Sequence, residues 1–167
     1  MNYNHQEKNT FIIFDIETTG LNVETDQIIE FACQVIEDNK IKTEINYLIN
    51  PDIDIAKDAT EKHGITNLDL KDKPKFSEIQ KEIFETFNIS KNNEQCYILT
   101  YNGIRYDFPL LFNEMKRNKV DLVINKSKVI DLLVFIQYHF RNQQSNRLDD
   151  VYKMLFDKEP ENAHRAI

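Results

Sequence analysis

The alternation of apolar and polar residues predicts a β-meander at the start of the chain. Residues 11–14 (FIIF) form a short apolar run that is typical of a buried strand. Two further apolar-rich segments, residues 26–36 and 41–49, are separated by a short polar stretch that contains Asp38 and Asn39. These two residues favour a tight turn, because their short side chains bond the local backbone. We therefore predict three consecutive strands.

The rest of the chain is predicted to alternate between helices and strands. A short helix should end before Gly64, and a longer one should follow Pro74, where apolar residues recur at helical spacing. Asp131 and Asn146 are placed to cap two later helices. The remaining predictions are strands at residues 96–102 and 127–131, helices at residues 108–117 and 132–140, and a final helix that buries Leu148, Val151, Tyr152, Leu155 and Phe156. This order predicts an α/β fold with a mixed sheet and helices packed on it.

Composition limits the class of protein. The 167 residues, 41% of them hydrophobic, suit one domain, which we place at residues 10–167 after a flexible tail at residues 1–9. The net charge of −7 argues against a protein that coats nucleic acid, but not against an enzyme that grips one nucleic-acid end. Cys33 and Cys96 lie in apolar surroundings and are expected to be buried, reduced thiols. A polar N-terminus and the lack of a long apolar run predict a soluble intracellular protein.

Asp15 and Glu17 are the first candidates for chemistry. They follow the first apolar run one residue apart, so in a strand both side chains would point to the same face. Two adjacent carboxylates repel each other unless a cation intervenes, and a hard divalent ion such as Mg²⁺ or Mn²⁺ prefers oxygen ligands. Capping of the following turn or an ion pair with arginine remain alternatives for either residue.

Asp107 is the natural third carboxylate. It follows the predicted fourth strand, near the start of a helix whose dipole favours negative charge. The chain has only three glycines, and Gly20 and Gly103 both lie beside acidic residues at predicted strand ends, where α/β folds place their sites. If the first and fourth strands are neighbours, the three carboxylates converge.

Four segments resemble, in order, the motifs of the DEDDh (DnaQ-like) 3′–5′ exonucleases, a family with the ribonuclease H-like fold. These segments are FDIETTGL, KHGIT, YNGIRYDFPLL and the C-terminal run that ends in AHRAI. The third segment is most similar to the three-prime repair exonucleases. The resemblance implies a mixed five-stranded sheet, made of a three-stranded antiparallel meander and two parallel strands, with helices on both faces.

The resemblance also implies roles for individual residues. Asp15, Glu17 and Asp107 would bind two divalent ions, Mg²⁺ or Mn²⁺, and His164 would be the general base. Thr18 and Leu21 match residues that hold the terminal nucleotide, although Leu21 could equally be core. The softer candidates for substrate contact are Asn102, Arg105 as a phosphate clamp, Tyr106, which could instead pack inward, and His63, which could be an ordinary helix-end histidine.

The last motif is matched only in part. His164 to Ile167 fit its first four residues, and the fourth acidic ligand would lie two residues further on. We therefore expect impaired cleavage by this chain and a domain without its final helix. The expected activity is the removal of 5′-mononucleotides from 3′ ends of single-stranded DNA, with a possible homodimer through a sheet edge. An exoribonuclease and an inactive nucleic-acid-binding module remain alternatives.

Overall fold

A computed structural model describes residues 9–142 and 144–160. The segments outside these ranges include His164 and most of the predicted N-terminal tail, so the predictions for them are not tested. The strands are β1 (Thr10–Thr18), β2 (Ile28–Glu37), β3 (Lys40–Leu48), β4 (Cys96–Thr100) and β5 (Val129–Asp131). The helices are α1 (Lys57–His63), α2 (Asn67–Leu70), α3 (Phe76–Asn92), α4 (Asp107–Arg117), α5 (Leu132–His139) and α6 (Leu148–Phe156), with a 3₁₀ turn at Lys126–Lys128.

The five strands form one mixed sheet in the order β3-β2-β1-β4-β5. The first three strands pair antiparallel, and β4 and β5 run parallel to β1. Asp38 and Asn39 both adopt positive φ angles in the tight turn between β2 and β3, as expected from short side chains that tolerate this conformation. The predicted fold, with its meander and two parallel strands, is confirmed.

The main core lies between the sheet and the helices α3 and α4. Ile12 and Phe14 point from β1 into this core, where they meet Ile83 and Phe87 of α3 and Leu111 of α4. Each fully buried side chain of this size contributes about 1.5–3 kcal/mol to folding. A separate, smaller cluster joins β2 to the region of α1 and α2 and consists of Ile29, Ile55, Ile65 and Leu70. Because side chains alternate along a strand, the acidic residues that follow Ile12 and Phe14 on β1 lie on the face opposite this main core.

Local signals explain several element boundaries. Gly64 ends α1 in the left-handed conformation (φ 77°), which glycine adopts without the penalty that a Cβ would add. The Asp131 carboxylate accepts the Leu133 backbone N–H and caps α5, as predicted. The short helix α2 was not predicted from the sequence. It begins with a capping box in which Thr66 and Asp69 bond reciprocally.

Two predictions for the last helix are wrong. The residue before α6 is Arg147, which makes no side-chain cap, whereas the backbone oxygen of Asn146 accepts the hydroxyl of Tyr101 at 2.6 Å. Of the five residues expected to be buried, the described structure buries only Val151. The apolar residues of α6 do lie at helical spacing. However, the described residues cover only Val151, and periodicity predicts an apolar face but not the element that packs on it. The exposed remainder is Leu148, Tyr152, Leu155 and Phe156.

Cys33 and Cys96 are buried, free thiols, as expected. Burial raises the pKa of Cys33 to about 12 and that of Cys96 to about 11, so both stay protonated at neutral pH.

None of the described helices has the length and apolar character needed to cross a bilayer. The strand β3 lies at an edge of the sheet and is mostly exposed, but the sheet-edge homodimer stays a prediction.

Candidate active site

The carboxyl end of β1 lies beside the end of β4. The two strands pair in parallel from Thr10 and Cys96 to Ile13 and Leu99. Asp15 and Glu17 follow that paired stretch on β1, opposite the buried face that carries Phe14. Because β4 ends at Thr100, the chain leaves the sheet next to these two carboxylates. The pairing of β1 with β2 shifts register between Glu17 and Thr18, so the regular ladder is interrupted beside these carboxylates.

Asp107 is brought to the same end of the sheet by the segment that follows β4. It is the first residue of α4, and a loop of six residues (101–106) connects it to β4. Its side chain accepts a long hydrogen bond of 3.4 Å from the hydroxyl of Thr100. Gly103 in the loop packs closely against the side chains of Thr100 and Asp107. An added Cβ would stand 1.8 Å from the Thr100 hydroxyl oxygen and 2.8 Å from Asp107 Oδ2. The loop therefore requires glycine at this position for its present course.

Asp131 holds this loop to the sheet. Its carboxylate accepts the backbone N–H groups of Asn102 (2.8 Å) and Ile104 (3.3 Å), in addition to capping α5. Asn102 has a φ of 63°, which asparagine tolerates better than most residues. One carboxylate at the end of β5 thus fixes the path that leads to Asp107. The sequence predicted the capping role of Asp131 but not this second one.

One cavity of about 320 Å³ opens between these elements. Asp15, Glu17 and Asp107 all line it, so the three carboxylates predicted to converge lie around the same space. Thr18, Leu21, Asn102 and Tyr106 also line the cavity. Leu21 is 79% exposed, which excludes the alternative that it is a core residue.

Two predicted contacts lie away from the cavity wall. His63 is only 6% exposed, and its Nδ1 accepts the backbone N–H of Ile65 at 3.1 Å, as in an ordinary helix end. Arg105 places its guanidinium 5.5 Å from the centre of the Tyr106 ring. Tyr106 lines the cavity, whereas Arg105 does not. Lys62 and Tyr101 line the cavity but were not predicted. The KHGIT segment pointed to this part of the chain, but only the fold shows that Lys62 borders the same cavity as the acids.

The electrostatics of the cavity are those of crowded acids. Desolvation by the surrounding protein raises the pKa of Asp15 to about 6, although its residue surface stays open to the cavity. The pKa of Asp107 rises to about 7, first through burial and then through the charges of Asp15 and Glu17. Glu30, fully buried opposite Glu17 on β2, adds to the rise at Asp15, whereas Lys62 opposes it.

A hard divalent cation fits this donor set in its chemistry. The donors are carboxylate oxygens, and bound positive charge would stabilise the ionised form of both aspartates, which burial and the neighbouring acids disfavour. Within residues 9–142 and 144–160, no group of three or more His, Cys, Asp or Glu side chains is already arranged to hold an ion. The carboxylates therefore share a cavity without forming a preformed metal centre.

Comparison with known proteins identifies the family. Residues 12–167 match the model of the RNase_T family, described as "Exonuclease". The chain belongs to this exonuclease family. The match confirms the resemblance to the DnaQ-like, DEDDh-type exonucleases that the four sequence motifs predicted.

The sequence relatives are parts of much longer proteins. The DNA polymerase III PolC-type of Mycoplasma genitalium is 29% identical over 160 residues, which are 94% of this chain and 10% of that protein. The PolC-type polymerase of Bacillus subtilis is 28% identical over 161 residues, or 96% and 11% of the two chains. The chain thus spans about a tenth of the length of these relatives. The closer likeness to the three-prime repair exonucleases stays a prediction.

Solved structures share the fold. A structure of E. coli exonuclease I with a dT13 oligonucleotide superposes with a TM-score of 0.77 at 23% identity, over 95% of this chain and 38% of that one. A zinc-bound form of the same enzyme with single-stranded DNA gives a TM-score of 0.80 at 24% identity, over 95% and 37%. These likenesses confirm the predicted architecture.

Proposed function

We propose that the chain is the catalytic domain of a metal-dependent 3′–5′ exonuclease that releases 5′-mononucleotides from DNA 3′ ends. The observation that carries the proposal is the single cavity lined by Asp15, Glu17 and Asp107 at the carboxyl ends of two parallel strands. Membership of an exonuclease family supports the reaction class. The relatives named as DNA polymerases and the oligonucleotide complexes of exonuclease I support DNA as the substrate.

The three carboxylates would hold divalent cations, Mg²⁺ or Mn²⁺, with two ions in the complete site. Such ions, when bound, generate a nucleophilic water and stabilise the attacking and leaving oxygens of the phosphodiester. The chain's own part is to keep these carboxylates in one partly desolvated cavity, where their negative charge attracts cations strongly.

The remaining cavity residues would position the 3′-terminal nucleotide. Leu21 offers an exposed apolar side chain, Tyr106 an aromatic ring, and Thr18 and Asn102 polar groups in the same cavity. His164, which lies outside the described residues, is proposed as the general base because imidazole titrates near neutral pH. Roles for Arg105 and His63 at the substrate stay predictions.

The test is degradation of 5′-labelled single-stranded DNA by the 167-residue chain with Mg²⁺, Mn²⁺ or EDTA. We expect a metal-dependent ladder that shortens from the 3′ end, and its loss in Asp15→Asn. Asp121→Asn is the matched control, because Asp121 is an exposed carboxylate that does not line the cavity. A weak ladder would agree with the impairment expected from the unmatched fourth acid.

Two outcomes would replace the proposal with its alternatives. Shortening of a matched RNA oligonucleotide but not of DNA would identify an exoribonuclease. Binding of DNA without cleavage under any metal condition, unchanged by Asp15→Asn, would identify an inactive nucleic-acid-binding module.

A further inference from the structure

Lys62 is the only basic residue among the described residues that line the acidic cavity. It belongs to the last turn of α1, and the cavity is otherwise lined by three acids and by uncharged residues. Its positive charge acts on Asp15, whose pKa it lowers. A single ammonium group among three carboxylates is therefore part of the cavity, and its function is not explained by the acids alone.

The end of α1 fixes where Lys62 stands. His63, the next residue, is buried, and its ring nitrogen accepts the Ile65 N–H, a local bond that orders the end of the helix. Gly64 then turns the chain in the left-handed conformation. Lys62 itself is exposed, so its four-carbon stem can extend across the cavity opening from a fixed backbone position.

The Lys62 ammonium has donors to spare. Within the described residues it forms no ion pair, whereas Lys57 on the same helix pairs with Glu61 at 3.5 Å. An ammonium group carries three N–H donors and binds phosphate as a point charge. Lys62 and Asp15 line the same cavity, so a phosphodiester bound at Asp15 occupies a space that the Lys62 side chain borders.

We propose that Lys62 is a substrate-binding residue that contacts a backbone phosphate of the single strand entering the acidic cavity. This inference rests on the proposed function and adds a specific cationic contact to it. The contact would offset the repulsion between the phosphate and the carboxylates. It should act on binding rather than on the chemical step, because a backbone phosphate is bound in both the ground state and the transition state.

The test measures binding of a 5′-fluorescein-labelled oligothymidylate by anisotropy, with Ca²⁺ in place of Mg²⁺ and a check that the strand stays intact. We expect Lys62→Gln to weaken binding about fivefold to tenfold, which is the effect of losing one ordinary, solvent-accessible hydrogen bond. The slope of log K against log salt should become about 0.7 shallower, which is the contribution of one phosphate contact on a single strand. Lys62→Arg should retain most of the affinity.

Lys57→Ala is the matched control, since Lys57 lies on the same helix but does not line the cavity. Its affinity and salt slope should equal those of the wild type. Wild-type affinity and slope in Lys62→Gln would overturn the inference, as would an equal loss in Lys57→Ala. With Mg²⁺, KM should rise in Lys62→Gln while kcat changes little. If the wild type cleaves no strand at all, the proposed function fails, and the binding comparison still decides the role of Lys62.

Discussion

The Asp131 carboxylate accepts a hydrogen bond from the backbone N–H of Asn102 at 2.8 Å, and this contact joins the end of β5 to the loop that delivers Asp107. The same carboxylate caps α5 through Leu133. A single side chain thus couples a helix start to the cavity geometry, which makes Asp131 a positioning residue outside the cavity wall.

Replacement of Asp131 by alanine should affect both stability and function. We expect a loss of about 1–2 kcal/mol in the free energy of unfolding, because a helix cap and two loop contacts disappear. Cleavage should fall further than this stability loss explains, since the loop that leads to Asp107 loses two backbone contacts. The measurements are urea unfolding and initial cleavage rates at a temperature where the variant is folded.

Asp69→Ala is the control for Asp131→Ala. Asp69 belongs to the capping box of α2 and does not line the cavity, so its loss should lower stability while leaving cleavage per folded molecule unchanged. Equal effects of the two substitutions on cleavage would show that the contact to Asn102 has no positioning role.

Gly103→Ala should displace the loop between β4 and α4. The new Cβ would meet the Thr100 hydroxyl and the Asp107 carboxylate at distances that no real Cβ tolerates. We expect a destabilisation of about 1–3 kcal/mol by overpacking, together with loss of cleavage. The comparison is Gly64→Ala, which has open space around it but a φ of 77° and should cost about 1–2 kcal/mol through strain alone. Retained cleavage in Gly103→Ala would contradict the tight packing.

Sequence patterns predicted what depends on neighbouring residues in the chain. The alternation in β1 fixed Asp15 and Glu17 on one face, and the cap at Asp131 and the glycine after α1 followed from local chemistry. The position of Asp107 near them needed one more assumption, that β1 and β4 pair, which the structure confirms.

Contacts between distant segments were not predictable in this way. Asp131 reaches Asn102 across 29 residues, and Tyr101 reaches the oxygen of Asn146 across 45. The second contact lies one residue before Arg147, which precedes α6 and makes no side-chain cap. The place of Lys62 was not predictable for a related reason, since only the folded chain shows that the end of α1 lines the same cavity as the acids.

The raised pKa values of Asp15 and Asp107 predict how the metal-free protein responds to pH. An acid whose pKa is about 7 when folded, against 3.8 as the ordinary value, binds its proton more tightly in the folded state. Deprotonation therefore opposes folding, and stability should fall as pH rises from about 4 to about 7. In EDTA, Asp107→Asn should gain in melting temperature relative to the wild type across this range and match it at about pH 4.

Thermal unfolding at several pH values tests this directly. Parallel curves for the wild type and Asp107→Asn would show that Asp107 has an ordinary pKa in the folded protein. Addition of Mn²⁺ at neutral pH should stabilise the wild type more than Asp107→Asn, because the cation replaces the proton that the crowded carboxylates otherwise retain.

Leu21→Ala should separate substrate binding from stability. Leu21 is 79% exposed at the cavity, so truncation should change the free energy of unfolding by less than about 0.5 kcal/mol, whereas a core leucine would cost about 2–5 kcal/mol. Loss of an apolar contact with the terminal nucleotide should raise KM several-fold. Leu68→Ala is the matched control, because Leu68 is 81% exposed and lies outside this cavity. An unchanged KM in Leu21→Ala would show that the exposed leucine makes no productive contact with substrate.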